Sequence, residues 1–262
     1  MVSAATIRCP LFVPADRPDR FAKAAASGAD AVILDLEDAV AVEAKDRARD
    51  QIGTGFTTLP VLLRINPAGT PWHVVDRAAA RAGGFAAVIL PKAEDAATVA
   101  AVVAALNGTP VIALIESALG LANARAIATA GAARLAFGSV DFCADLGCAH
   151  LREVLLPARS ELVLASRLAG IAAPVDGVTV QIDDPAIAAD DAAHARALGM
   201  TGKLCIHPRQ TESVTRAFLP TEAEIVWARR VLASGDGAVA VDGAMVDEPV
   251  RIRARGILAA AG

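Results

Sequence analysis

Short apolar runs recur at nearly even spacing along the chain, separated by amphipathic segments rich in alanine and arginine. That alternation predicts parallel βα units. The runs read as strands over residues 8–14, 31–37, 61–66, 86–91, 111–116, 134–140, 172–180 and 203–207. Eight such units predict a (β/α)8 TIM barrel. An open doubly wound sheet fits less well, because nothing resembling its glycine-rich turn follows the first strand. The seventh strand has the weakest pattern, since Asp176-Gly177 interrupts it.

After the eighth run the pattern changes. Thr221 and Glu224 have the spacing of a capping box, with Pro220 ahead and an amphipathic stretch to Ala233 behind. Ser234-Gly-Asp-Gly237 then breaks the helix, and residues 239–246 read as a hairpin around Asp242-Gly243. Pro249 permits a last helix over 250–261. The expectation is a barrel over 1–218 and a C-terminal helix–hairpin–helix extension over 219–262. That extension could cap a barrel face or reach a neighbouring subunit.

Composition narrows the function classes. The chain has 262 residues, 55% of them hydrophobic, and a net charge of −4. A sizeable core is therefore available, and a general nucleic-acid or anionic-membrane binder is not expected. No basic segment followed by a long apolar stretch opens the chain, and no apolar run reaches membrane-spanning length, so the cytoplasm is the expected compartment. The cysteines Cys9, Cys143, Cys148 and Cys205 are scattered and read as free thiols rather than a disulfide framework or zinc site.

Candidate chemistry lies at the strand ends, where barrels carry their active sites. The fifth and sixth runs each finish on a carboxylate, Glu116 and Asp141. Two acids on neighbouring strands without histidine or cysteine beside them suit a hard divalent cation such as magnesium (Mg2+). The bland reading is that they cap helices or pair with Arg64 or Lys92. Strand two ends in Asp35, Glu37 and Asp38, and alternation puts Asp35 and Glu37 on one face with Asp38 on the other. On strand three, Leu62, Arg64 and Asn66 share a face. An arginine there reads equally as a structural ion pair with Asp35 or Glu37 and as a bidentate clamp for a substrate carboxylate. Asp35 and Glu37 are also available for outer-shell hydrogen bonds to metal-bound water. Arg17, Arg20 and Lys23, beside the first strand end, read as a solvated face or as contacts for an anionic ligand tail. His207 before Pro208 reads first as a satisfied core histidine, and His73, His150 and His194 carry no spacing signal.

Taken in order, LFVPADRPDRF (11–21), AVILDLEDAV (31–40), LRINP (63–67), VILPKAE (88–94), ALIESA (113–118), FGSVDF (137–142), CIHPRQ (205–210) and GAMVDEP (243–249) resemble the citrate lyase β-subunit-like family of the HpcH/HpaI aldolase superfamily. The resemblance runs almost end to end and implies a homotrimer with the C-terminal segment shared between subunits. It implies magnesium ligation by Glu116 and Asp141, and a 2-oxo acid carboxylate held by Arg64. Asp35, Glu37 and Asp38 would form the outer shell. Arg17, Arg20, His207 and Pro208 would lie along coenzyme A, and Asp247 would be an acid/base presented to an adjacent subunit.

The implied reaction is magnesium-dependent carbon–carbon cleavage or formation of a short 3-hydroxyacyl-CoA, such as citryl-, malyl- or citramalyl-CoA, giving a 2-oxo acid and an acyl-CoA. Whether partner subunits of a citrate lyase complex are needed is left open by the chain itself. Two alternatives stand beside it: a pyruvate-type aldolase without coenzyme A, and a non-catalytic subunit that binds a 2-oxo acid. The loop from Asp141 to His150 is idiosyncratic towards its end, so substrate choice could differ from that of the family.

Overall fold

The computed structural model describes residues 4–261. Its strands β1 (Pro10–Pro14), β2 (Ala31–Asp35), β3 (Val61–Arg64), β4 (Ala87–Leu90), β5 (Val111–Ile115), β6 (Arg134–Phe137), β7 (Ala172–Asp176) and β8 (Gly202–Lys203) form one parallel sheet in sequence order. Hydrogen bonds across the seam close it. Phe12 N–H donates to the Cys205 carbonyl, Cys205 N–H to that of Pro10, both at 2.9 Å, and Lys203 N–H to that of Arg8 at 2.8 Å. The fold is a TIM barrel.

Local sequence explains the elements. β2 and β5 are buried along their whole length, as strands covered on both faces must be. Several helices start where a short polar side chain accepts an otherwise unpaired N–H. Asp95 accepts from Thr98 at 2.7 Å, Ser117 from Gly120 at 3.1 Å and Asp184 from Ala186 at 2.9 Å.

Inside the barrel, Ile33, Leu62, Ile89, Ile112, Leu114, Ala136 and Leu204 belong to one buried cluster. Extending the same two-residue alternation towards the C-terminal ends puts Asp35, Arg64 and Glu116 on the interior side at the mouth. At the opposite end Arg134 shares the parity of Ala136 and plugs the barrel. Its guanidinium donates to the carbonyls of Ala4, Ile7 and Ala173 and to Thr201 Oγ1, at 2.6–3.1 Å.

Every strand is shorter than the apolar run that predicts it, and β6, β7 and β8 fall short by three residues or more. β6 stops at Phe137 rather than residue 140, because Gly138 turns the chain into the helix Ser139–Leu146. Asp141 therefore sits in that helix's first turn, not on the strand end. β7 stops at Asp176 rather than 180: Lys203 Nζ takes the Gly177 carbonyl at 2.6 Å, ending the ladder at the Asp-Gly interruption. β8 is two residues long, with Cys205 forming a separate bridge to Leu11.

A second compact unit begins at Arg216, within the helix Pro208–Phe218. Thr221 and Glu224 make the capping box of the helix Glu222–Ala233. Strands β9 (Val239–Val241) and β10 (Ala244–Val246) pair around Asp242-Gly243, both with positive φ. The helix Glu248–Ala261 follows, and Ala228, Val231, Val246, Ala254 and Ile257 form the unit's own core. Among the described residues, no helix is long and apolar enough to cross a membrane.

Candidate active site

The mouth of the barrel opens into a cavity of about 230 Å³, whose wall includes Phe12, Asp35, Asp38, Arg64, Glu116, Ser139 and Asp141. Arg64 is its organising cation. Nε donates to Asp35 Oδ1 and Nη2 to Asp35 Oδ2, both at 2.7 Å, a bidentate fork between neighbouring strands in register. Nη1 lies 2.9 Å from Glu37 Oε2, and the guanidinium stacks 4.7 Å from the Phe12 ring centroid. Burial works against the charge, but Asp35 and Glu37 outweigh it and hold the Arg64 pKa well above its ordinary value. The structure thus contains the ion pair read from the sequence. With five N–H groups on the guanidinium and two donated to Asp35, donors also remain for a ligand in the cavity.

Glu116 follows β5 directly and is buried. Its Oε1 accepts the Lys92 N–H at 2.7 Å. Lys92 adopts the left-handed conformation, φ +48°, which a non-glycine residue seldom takes, and that turn presents the N–H to Glu116. Its Nζ meanwhile reaches Glu37 Oε1 at 2.5 Å and Asp38 at 3.8 Å. Gly138 is required beside Glu116, because a Cβ there would overlap Glu116 Cβ and Oε2. Burial first, then the charges of Glu37 and Asp141, push the Glu116 carboxyl up to about 8. Burial likewise raises Glu37. Its Oε2, though close to Arg64, is buried and accepts no hydrogen bond.

The cavity therefore gathers more negative charge than its cations balance. Among the described residues no group of three or more histidine, cysteine, aspartate or glutamate side chains has metal-site geometry. Two carboxylates facing a wet cavity are instead the protein share expected for an ion that keeps several waters.

A network invisible to spacing arguments holds this rim from behind. Lys45, buried, donates to the Leu36 and Glu37 carbonyls, both at 2.9 Å, and to Asn66 Oδ1 at 2.7 Å. Asp76 accepts from Asn66 N at 2.9 Å, Asn66 Nδ2 at 2.7 Å and Arg49 Nε at 2.6 Å. Asn66 thus ties the ends of β2 and β3 together rather than lining the cavity. Lysine ten residues after a strand end carries no sequence signal; a buried lysine is visible only once its carbonyl partners are placed.

A second cavity of about 360 Å³ shares Phe12 and Ile206 with the first and is lined by Arg20, Lys23, His207 and Pro208. His207 is half-buried on that wall rather than a core histidine, its Nδ1 accepting from Arg209 N–H at 3.2 Å. Arg17 does not line it: its exposed fork is turned onto Asp19 by two 3.0 Å hydrogen bonds. Asp247, in the second unit, precedes the helix Glu248–Ala261 and accepts weakly from Val250 N–H at 3.4 Å.

Comparison with known proteins places this geometry. The family model described as HpcH/HpaI aldolase/citrate lyase matches residues 8–208. A citrate lyase subunit beta-like protein of Mycobacterium tuberculosis is 40% identical over 264 residues, covering 96% of this chain and 94% of that protein. A (3S)-malyl-CoA thioesterase of Cereibacter sphaeroides is 35% identical over 271 residues, covering 97% and 94%. The crystal structure of CitE from Mycobacterium tuberculosis in complex with magnesium, acetoacetate and coenzyme A superposes with a TM-score of 0.87 at 39% identity, covering 98% of this chain and 99% of that one. The chain belongs to the HpcH/HpaI aldolase/citrate lyase family.

Proposed function

We propose that this chain is a magnesium-dependent carbon–carbon lyase that cleaves, or in reverse forms, a short 3-hydroxyacyl-CoA. The products of cleavage are a 2-oxo acid and an acyl-CoA. The observation that carries the reading is the single cavity in which Glu116 and Asp141 face Arg64, with Glu116 pushed up to about 8 by burial and then by the charges of Glu37 and Asp141. The related CitE complex with magnesium, acetoacetate and coenzyme A supports it.

Glu116 and Asp141 would hold the metal, with waters and substrate oxygens completing its shell. The unsatisfied Glu37 Oε2 fits a hydrogen bond from a metal-bound water, and Asp35 and Asp38 complete the outer ring. Bound there, magnesium would supply Lewis-acid polarisation of the substrate's hydroxyl or carbonyl oxygen.

The protein's own residues do the rest. Arg64, fixed by Asp35, presents its remaining N–H groups to the carboxylate of the 2-oxo acid, and this orientation matters because a displacement of ~1 Å can cost roughly a hundredfold in rate. Phe12 under the guanidinium restricts its swing. The cavity lined by Arg20, His207 and Pro208 receives the coenzyme A portion, with Arg17 able to reach its phosphates only by releasing Asp19. As the carbon–carbon bond breaks, the substrate hydroxyl gives up its proton and the acyl-CoA enolate must gain one at its α-carbon, so a carboxylate that accepts the first proton and returns it to carbon balances the step. Asp247, offered by a neighbouring copy in a homotrimer, is our candidate.

The test is product identification with citryl-, malyl- and citramalyl-CoA in the presence of magnesium. Release of a 2-oxo acid with an acyl-CoA is the expected result. Turnover of none of the three would overturn the reading.

A further inference from the structure

We propose that Val178, Leu204 and Ile206 make the barrel cavity select a 2-oxo acid with a short alkyl side chain and reject one that carries a second carboxylate. The selectivity rests on the 2-oxo acid reading above and narrows it to one substrate class.

The wall of the 230 Å³ cavity divides by strand order. Its ionisable groups come from the ends of β2, β3 and β5 and from the helix that follows β6. The ends of β7 and β8, with β1 across the closed seam, supply Val178, Leu204, Ile206 and Phe12 instead. These side chains form one apolar arc. Leu204 belongs to the buried barrel core, and Phe12 and Val178 pack against it, so the arc is fixed from beneath. Core packing accounts for Leu204 but leaves Val178 half-buried and Ile206 41% exposed, presenting hydrocarbon to the space a ligand fills.

Nothing on that arc can pair an anion. Among the described residues, Arg64 is the only cation on the cavity wall. Two of its N–H groups go to Asp35 and Nη1 faces Glu37, so what remains serves the carboxylate beside the oxo group. Lys92 is engaged by Glu37 and Asp38. Lys203, although in β8, ties its Nζ to Asp176 and the Gly177 carbonyl. Ser139 is 1% exposed and has its hydroxyl engaged by His150 Nε2 at 2.9 Å.

A second substrate carboxylate would therefore lose its water against Val178 and Ile206 without gaining a partner, beside Glu116, Asp141 and Asp38. An alkyl group gains from the same wall, because one matched methylene in an apolar pocket is worth roughly 10- to 200-fold. The acyl-CoA substrate then carries one carboxylate and one short alkyl group on its hydroxyl carbon.

The experiment titrates the full chain, with magnesium, in a calorimeter with glyoxylate, pyruvate, 2-oxobutanoate and oxaloacetate. Their side chains are hydrogen, methyl, ethyl and carboxymethyl. Pyruvate and 2-oxobutanoate should each bind at least about tenfold more tightly than glyoxylate or oxaloacetate. Val178→Lys and Ile206→Lys offer the second carboxylate a partner, and each should shift the oxaloacetate-to-pyruvate affinity ratio at least about tenfold towards oxaloacetate. Having two sites to alter guards against one variant failing to fold, which thermal melting would reveal. The same acids are then mixed with acetyl- and propionyl-CoA, and carbon–carbon bond formation is followed by mass spectrometry. Oxaloacetate binding at least as tightly as pyruvate, with bond formation present, overturns the selectivity and leaves the lyase standing. An unchanged ratio in both folded variants overturns the role of the apolar arc. Tighter binding of the alkyl acids without any bond formation supports the selectivity and overturns the lyase. Binding of none of the acids overturns both.

Discussion

Asp35 and Arg64 stand opposite one another on neighbouring strands and meet through two parallel 2.7 Å hydrogen bonds at the barrel mouth. The fork fixes the plane of the guanidinium, so the direction in which its free N–H groups point is set before any ligand arrives. Asp35→Asn keeps the shape but removes the charge and one acceptor. Removing one partner of a buried pair should destabilise the fold by about 3 kcal/mol. It should also raise KM for the 2-oxo acid more than it lowers kcat. Urea denaturation and steady-state kinetics check the two effects.

The raised Glu116 carboxyl gives the metal-free protein a distinct pH dependence. Its folded pKa of about 8 lies above the ordinary carboxylate value of 4.5, because burial and the charges of Glu37 and Asp141 favour the neutral form. The folded state therefore holds a proton that the unfolded chain has released between those two values. This contribution to stability is fully present below about pH 4.5 and is lost as pH rises through about 8. Metal binding must expel the proton, so apparent magnesium affinity should climb by up to about tenfold per pH unit from 6 to 8. Calorimetric titrations in that window, with Glu116→Gln as the reference that lacks the stability slope, check both statements.

Gly138→Ala tests how closely Glu116 is packed. The added methyl would overlap Glu116 Cβ and Oε2, so either Glu116 or the turn after β6 must move. Magnesium affinity should fall at least about tenfold, a change of about 1.4 kcal/mol, with the barrel's circular dichroism intact. Unaltered affinity would show that the carboxylate does not need its present position.

Arg134 answers to the opposite end of the barrel. Its guanidinium serves the Ala4, Ile7 and Ala173 carbonyls with no carboxylate among the described residues bonded to it, and burial pulls its pKa down to about 10. Arg134→Met should strand those acceptors and cost about 3 kcal/mol or more, since each unsatisfied buried group costs about 1–3 kcal/mol. Activity per folded molecule should stay near the wild-type level, because conservation of structure at the N-terminal face serves stability rather than chemistry.

Much of this was legible before any coordinates. The spacing of apolar runs places the eight strands in order, and a carboxylate or arginine ending a run points to the mouth. Pattern fails where the chain stops being periodic. Val140 extends the apolar run of β6, yet Gly138 ends the strand, so Asp141 reaches the cavity from a helix instead. Alternation sets Asp38 apart from Asp35, yet once β2 has ended the rule no longer binds and both line one cavity. Lys45 and Asp76 escape notice because their partners are backbone carbonyls and residues brought near only by folding. Ser139 and His150 escape it for a related reason: the helix Ser139–Leu146 and the left-handed turn at Gly147 bring them together.

The central claim is that Glu116 and Asp141 hold a cation on which carbon–carbon cleavage depends. The most direct measurement follows 2-oxo acid release from the best of the three hydroxyacyl-CoA thioesters, with magnesium and with excess chelator, for wild type, Glu116→Gln and Asp247→Asn. The account predicts release by the wild type only with magnesium and none by Glu116→Gln. Asp247→Asn should bind magnesium and 2-oxo acid normally yet release no product. Release by the wild type in chelator, or undiminished release by Glu116→Gln, would contradict it.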